Sequence, residues 1–325
     1  EGRGAAPRLP VFLHFWTRKG EFGDRTPADE ALIARFPQDV QYLGVQLPGY
    51  FEAPQVDPGY RWLPGGPRET GRALDAQALI ADWGELDAII TTFPDPRSPA
   101  ALPGNPAPDG RYRLAGWLYC LFERHRSLRG MTNALADFYT DPGPVHRLYR
   151  ACTDFYAGLI DRIASELGAD GFFTSDDLGT QTGPFFAPRL FHELLRPCYE
   201  PLFRIAKEAG KFMMMHSCGQ VSAFLPELVA MGLDVLEPCQ PCNDLHRFKA
   251  EYGTQLTFWG GVDTQQLLPF GTPDDIRREA TRVIRTLGKG GGHIIGPSQE
   301  VMKDVPLENV VALIETIVEE RAKAI

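Results

Sequence analysis

Positive charge is in deficit in this chain. Its 325 residues carry 33 Lys and Arg against 42 Asp and Glu, a formal net charge of -9. A protein that binds nucleic acid ordinarily shows a basic surplus, so that class of partner is disfavoured. Long apolar runs are missing too. No stretch approaches the ~20 residues that a helix needs to cross a bilayer, so no membrane partner is expected. The opening EGRGAAPRLP has no apolar signal core, and residues 1–8 read as a flexible end. Cysteine is sparse. Six thiols (Cys120, Cys152, Cys198, Cys218, Cys239 and Cys242) in a chain of this length do not make a disulfide scaffold. Free thiols imply a cytoplasmic protein. Phosphate-loop geometry is absent as well. GKGGGH (288–293) precedes its strand and opens no helix, so it reads as a turn behind a helix C-cap glycine.

What is present is a rhythm. Composition is globular, with 43% hydrophobic and 23% charged residues. In the C-terminal half, short apolar runs alternate with helical patterns. Strands are expected in 170–177, 211–219, 233–241, 255–263 and 291–298. Helices are expected over 188–210, 220–232, 242–253, 272–288 and 305–324, with Thr272 as an N-cap and Pro197 and Pro201 breaking or kinking the first. The apolar runs are too dense to alternate, which suits parallel strands covered on both faces. The first half is less regular. Strands are expected in 10–16, 39–47 and 85–93, a strand turning into a helix over 110–130, and a long amphipathic helix over 142–168. The Pro- and Gly-rich segment 47–66 reads as a long loop. About eight strands, most followed by a helix, predict an α/β chain folded as a (β/α)8 TIM barrel, one domain over residues 9–325.

In such a barrel the reactive face lies at the carboxyl ends of the strands. The polar residues ending each apolar run are His14, Asp176 and Asp177, His216 and Cys218, Glu237, Cys239 and Gln240, Asp263, and Ser298 and Gln299. His216-Ser217-Cys218 is the most pointed of these. Residues two apart on a strand face one side, and imidazole with thiolate suits zinc. The same pattern also fits a buried strand end with a hydrogen-bonded His and a small apolar Cys. Cys239 is the expected third ligand. Asp176 and Asp177 could bind a substrate cation or move a proton, or cap a helix, and Gln181 follows them in a polar turn. Glu237 would need a partner if buried. Arg124 and Arg129, in the basic cluster RHRSLRG (124–130), could hold a substrate carboxylate or line a solvated helix face. Met213, Met214 and Met215 read as core filling.

The stretches FFTSDDLGTQTGPFFAPRLFHELLRPCYEPLF, MMMHSCGQVSAFLPELVAMGLDVLEPCQ and YGTQLTFWGGVDTQQLLPFGTPDDIRREATRVI together resemble the uroporphyrinogen decarboxylase superfamily. The resemblance is strong from about Trp117 to Ala324 and weaker from Leu9. It implies a (β/α)8 barrel and one of two chemistries. The haem-pathway decarboxylases use no cofactor and hold propionates with an arginine-rich N-terminal segment. Here that region reads VFLHFWTRKGEFGDR, with Arg18, Lys19 and Arg25 in unrelated spacing. The corrinoid-linked methyltransferases hold zinc with a His-x-Cys pair and a further Cys at the last strand. His216 and Cys218 match the pair, while Ser298 stands at the third position, leaving Cys239 or Glu237 to complete the set. The resemblance therefore implies a zinc-assisted methyltransferase acting with cobalamin or a corrinoid protein on a small molecule. In this reading Asp176, Asp177, Glu237 and Asp263 serve catalysis, and His14, Gln181, Gln240, Ser298, Gln299, Arg124 and Arg129 contact substrate. A metal-free decarboxylase and a non-catalytic barrel are the alternatives. A homodimer is also expected.

Overall fold

The computed structural model describes residues 9–12, 26–36, 38–45, 78, 80–102 and 106–323. Segment 47–66 and His14 lie outside them. The fold is α/β, and the described residues form seven strands in one sheet in chain order. The strands are β1 (Val40–Gly44), β2 (Tyr112–Tyr119), β3 (Gly171–Ser175), β4 (Phe212–His216), β5 (Val235–Glu237), β6 (Thr257–Val262) and β7 (His293–Pro297). Where registers are defined, β2 with β3, β3 with β4, β5 with β6 and β6 with β7, the pairing is parallel. Every residue of β3 is buried, as are Met213, Met214, Met215 and His216 of β4, which is why these strands read as unbroken apolar runs.

By internal contacts the chain forms two compact units. One comprises Tyr42–Ser217 and Val221–Leu233; the other comprises Glu1–Gln41, Cys218–Gln220 and Asp234–Ile325. The tripeptide Cys218–Gln220 is thus joined at both ends to chain of the first of these.

The first unit contains β2, β3 and β4 with level carboxyl ends: Tyr119 faces Ser175, and Ser175 faces His216. β2 and β3 approach closely at Gly116, where an added Cβ would lie 2.4 Å from the Phe173 carbonyl oxygen. β2 leads through Cys120 into the helix Leu121–Arg129. A helix over Met131–Thr140, not foreseen from sequence, precedes the long helix Pro142–Glu166. The strand expected in 85–93 is instead a helix, Leu86–Ile90, behind a tight turn at Trp83–Glu85. Asp82 caps that turn by accepting from the Gly84 N–H at 2.6 Å, and Glu85 reaches back to the Asp82 N–H. Local capping, with Leu86 and Ile89 three residues apart on a buried face, overrides the apolar run. The prolines of 188–210 do not break their helix either. A π turn at Phe191–Leu195 resets the frame so that Pro197 falls in the first turn of Arg196–Glu208, where no N–H is needed, and Pro201 is accommodated inside.

The second unit contains β5, β6 and β7. Gly260 has φ 101°, and a Cβ there would meet the Pro297 carbonyl oxygen at 2.9 Å. The strand expected in 10–16 is present as a bridge: Val11 pairs in parallel with Ile295. Ile295 N–H donates to Pro10 O at 3.1 Å and Asp39 N–H to Val11 O at 3.0 Å, which places this segment between β7 and the foot of β1. Residues 13–16 lie outside the described chain. The C-terminal helices follow the sequence reading. Asp244 caps Leu245–Tyr252, and Thr272 forms a reciprocal cap with Asp275 at Pro273–Leu287. No described helix is long and apolar enough to cross a membrane.

Candidate functional site

The level ends of β3 and β4 bring two acids and an imidazole together. Immediately past β3, the Asp176 N–H donates to His216 O at 3.0 Å, so the chain leaves the sheet beside His216. Asp176 and Asp177 then diverge. The Asp176 carboxylate is fully buried and turns back to the helix Leu121–Arg129. It accepts from the Phe122 N–H at 3.0 Å, the Glu123 N–H at 2.7 Å and the Tyr199 hydroxyl. It therefore caps a helix start far along the chain, where backbone donors otherwise lack partners. Burial pushes its pKa up to about 6, against these hydrogen bonds to its anion.

Asp177 has other partners and is 22% exposed. Its Oδ1 lies 3.3 Å from His216 Nε2, and its Oδ2 lies 3.3 Å from the Arg126 guanidinium. Arg126 also donates to Glu123 Oε1 at 2.9 Å. Burial and then the Asp177 charge push Glu123 up to about 7, with Arg126 opposing. Between the two strand ends, Ser217 Oγ accepts from the Leu178 N–H at 3.1 Å and fixes the loop that carries Asp177.

Two residues beyond His216 stands Cys218, half-buried, with two amides on its sulfur. Gln299 Nε2 donates to Sγ at 3.0 Å and Gln240 Nε2 at 3.5 Å. Asn243 Nδ2 donates to Gly219 O at 2.9 Å and to Cys242 Sγ at 3.6 Å. One donor atom each from Asp177, His216 and Cys218 lie within 4.8 Å of one another, a spacing that suits a shared metal ion.

The structure redistributes the other residues singled out in the sequence. Cys239, the expected third ligand, stands outside the donor group. Its thiol is buried, lies 3.8 Å from Leu236 O, and is kept protonated by burial and the Glu237 charge. Asp177 takes its place, because β3 and β4 end level and the next strand's exit loop turns Cys239 inward. Ser298 is buried, and its hydroxyl accepts from the Thr264 N–H at 3.2 Å. Asp263 caps the following turn, accepting from the Gln265 N–H at 2.8 Å. Glu237 is buried at the end of β5, and Gln181 is exposed in a turn. Arg129 is not available to a substrate carboxylate. It donates to both Asp137 oxygens, at 2.9 and 3.0 Å, and to the carbonyls of Ile80 and Ala81. Arg124 is buried with Nε 3.4 Å from the Tyr156 hydroxyl. Tyr199 and Glu123 were not foreseen. The Glu123-x-x-Arg126 spacing was a legible helix pair, but nothing local marked Tyr199.

A parallel α/β chain with a metal-ligand group at the ends of adjacent strands belongs to a class in which active sites sit at those ends. The chain is a member of the uroporphyrinogen decarboxylase family: the family's sequence model, Uroporphyrinogen decarboxylase (URO-D), matches residues 119–320. It is similar to a methylated-thiol–coenzyme M methyltransferase of Methanosarcina mazei, 25% identical over 210 residues, covering 63% of this chain and 53% of the relative. It is also similar to the methylcobamide:CoM methyltransferase MtaA of Methanosarcina barkeri, 24% identical over 149 residues, covering 46% of this chain and 41% of the relative. Bacterial uroporphyrinogen decarboxylases match as well. The matched stretch thus spans about half or less of these curated relatives. A solved methyltransferase from Methanosarcina mazei shares the fold, with a TM-score of 0.61 at 17% identity over 97% of this chain and 94% of that one.

Proposed function

We propose that this chain is a methyltransferase of the uroporphyrinogen decarboxylase family that moves a methyl group between a small substrate or thiol and a corrinoid, free or protein-bound. The observation that carries the proposal is the Asp177–His216–Cys218 donor group. Imidazole, thiolate and carboxylate are ordinary zinc ligands, and three protein ligands leave a position for substrate. One thiolate and one carboxylate also match the charge of a divalent ion. The methyltransferase names among the relatives support the same chemistry. We further propose that Val11 completes an eighth, short strand and that residues 9–325 form one (β/α)8 barrel.

In this reading His216, Cys218 and Asp177 hold the ion. Bound there, zinc supplies a Lewis acid that keeps a thiol deprotonated at neutral pH. The chain's own residues orient that site. Ser217 pins the loop bearing Asp177, Arg126 neutralises the Asp177 oxygen turned away from His216, and Asp176 anchors the helix that carries Arg126. Decarboxylation without a metal is less well served, because Arg129 is occupied by Asp137 and Arg126 is shared by Glu123 and Asp177.

The reaction is tested by adding methylcobalamin with a panel of small thiols to zinc-loaded protein and following the corrinoid spectrum. Loss of the methylcobalamin bands, absent in His216→Ala, is expected with at least one thiol. No loss of methylcobalamin with any thiol and no methylcobalamin formed from cob(I)alamin with methoxylated donors, with release of carbon dioxide from a carboxylated substrate, would replace methyl transfer with decarboxylation.

A further inference from the structure

The two amides on Cys218 are locked in orientation. Gln240 Oε1 accepts from the Gly219 N–H at 2.6 Å, and Gln299 Oε1 accepts from the Glu300 N–H at 3.0 Å. A backbone N–H cannot accept a hydrogen bond, so each amide oxygen must face it and each NH2 must face the sulfur. Sγ is therefore the acceptor for two donors that have no alternative orientation. Their anchors differ. Gln240 is tied to the residue after Cys218 itself, while Gln299 is tied to its own neighbour beyond β7.

The residues around them explain why two amides matter here. Ser298, beside Gln299, turns its hydroxyl to Thr264. Cys239, beside Gln240, lies against Leu236 O. Neither supplies a second sulfur, and the residue next to each supplies an N–H to the first. Hydrogen bonds to a ligating sulfur hold its direction and draw off part of its charge, and such partners influence metal affinity strongly.

We infer that Gln240 and Gln299 are positioning residues for Cys218. They aim Sγ at the donor group and temper the charge of the coordinated thiolate, as hydrogen-bond donors to the one thiol in that group. This inference rests on the metal-site reading above. It assigns the two glutamines to the metal ligand, whereas the sequence assigned them to substrate.

The test uses the full chain loaded with cobalt(II), which reports a bound thiolate through a sulfur-to-metal charge-transfer band, alongside zinc affinity measured by chelator competition. Gln299→Leu removes the donor and leaves an apolar side chain one atom shorter. The expected result is a charge-transfer band at lower energy, because the sulfur is more electron-rich, and a zinc Kd raised about tenfold or more. Gln240→Leu is expected to shift the band in the same direction. If that variant disturbs the Gly219 loop, as judged by near-UV circular dichroism, Gln299→Leu alone decides. An unchanged band energy and zinc Kd in correctly folded Gln299→Leu would overturn the inference. Failure of the metal reading looks different: the unaltered chain would bind neither ion, or Cys218→Ser would keep the charge-transfer band.

Discussion

Asp137 and Asp177 sit in one unit of the chain, each with a histidine and an arginine, yet they are not equivalent. Asp137 is the hub of a closed network. It accepts from Arg129 through both oxygens, from the Trp83 indole at 3.2 Å and pairs with His125 Nε2 at 3.1 Å, and its side chain is 3% exposed. The other nitrogen of His125 is taken by the Tyr149 hydroxyl, and Arg129 lies over the Trp83 ring. Burial alone would raise Asp137, but the hydrogen bonds from His125 and Arg129 hold its carboxyl well below the usual range. Asp177 has longer contacts, more exposure and a thiol nearby. Side-chain type does not separate the two groups. What separates them is exposure and the thiol that stands beside Asp177 and His216.

The sharpest way to break the comparison is Asp137→Ala. Removing one partner leaves buried charges uncompensated, so a loss of about 3–5 kcal/mol is expected in urea unfolding. Zinc content per folded chain should stay as in the unaltered protein. Next comes Asp176→Asn, which keeps shape but weakens the cap on Leu121–Arg129. A loss of about 1–3 kcal/mol is expected, with the same readout. A metal loss with no stability loss would move Asp176 into the site.

Glu123 gives a pH-dependent contrast. Its folded pKa of about 7 lies above its ordinary 4.5. Between those values the folded chain holds more protons than the unfolded one, so this group's contribution to stability falls as pH rises through that window. Asp137 has the opposite sign, since its lowered pKa makes its contribution disappear on acidification. Glu123→Gln should therefore gain stability relative to the unaltered chain as pH is raised from about 4.5 to about 7, and level off above that. A difference that does not change across that window would contradict the raised Glu123 pKa. The smallest effect on stability is expected for Asp177→Asn. Asn keeps the shape of a side chain that is 22% exposed, and Arg126 keeps Glu123 as a partner, so a loss of about 1 kcal/mol or less is expected while zinc affinity drops.

Much of this was legible in the sequence, and the exceptions have physical causes. Strands β3 to β7 were readable because both faces are covered and their apolar runs are unbroken. Residues 85–93 misled because five apolar positions look alike on a strand or a short helix, and the capped turn at Trp83–Glu85 that precedes Leu86–Ile90 is what starts a helix there. His216 and Cys218 were singled out because sequence spacing and strand geometry coincide. Asp177 as their companion was not, because its partnership depends on the register that sets Ser175 beside His216. Cys239 lies outside the donor group for the same kind of reason: a thiol's neighbours in the chain do not reveal that it turns inward. The glutamines were noticed for their position, but their anchoring backbone N–H groups are features of the folded chain.

The central claim is that Asp177, His216 and Cys218 together hold a metal ion. Equilibrium zinc binding by the full chain, prepared without chelator and compared with Asp177→Ala, His216→Ala and Cys218→Ser, tests it most directly. The account predicts about one zinc per chain, with affinity reduced at least tenfold by each substitution and the fold retained. A folded chain that binds no zinc, or binds it equally well in all three variants, would contradict it.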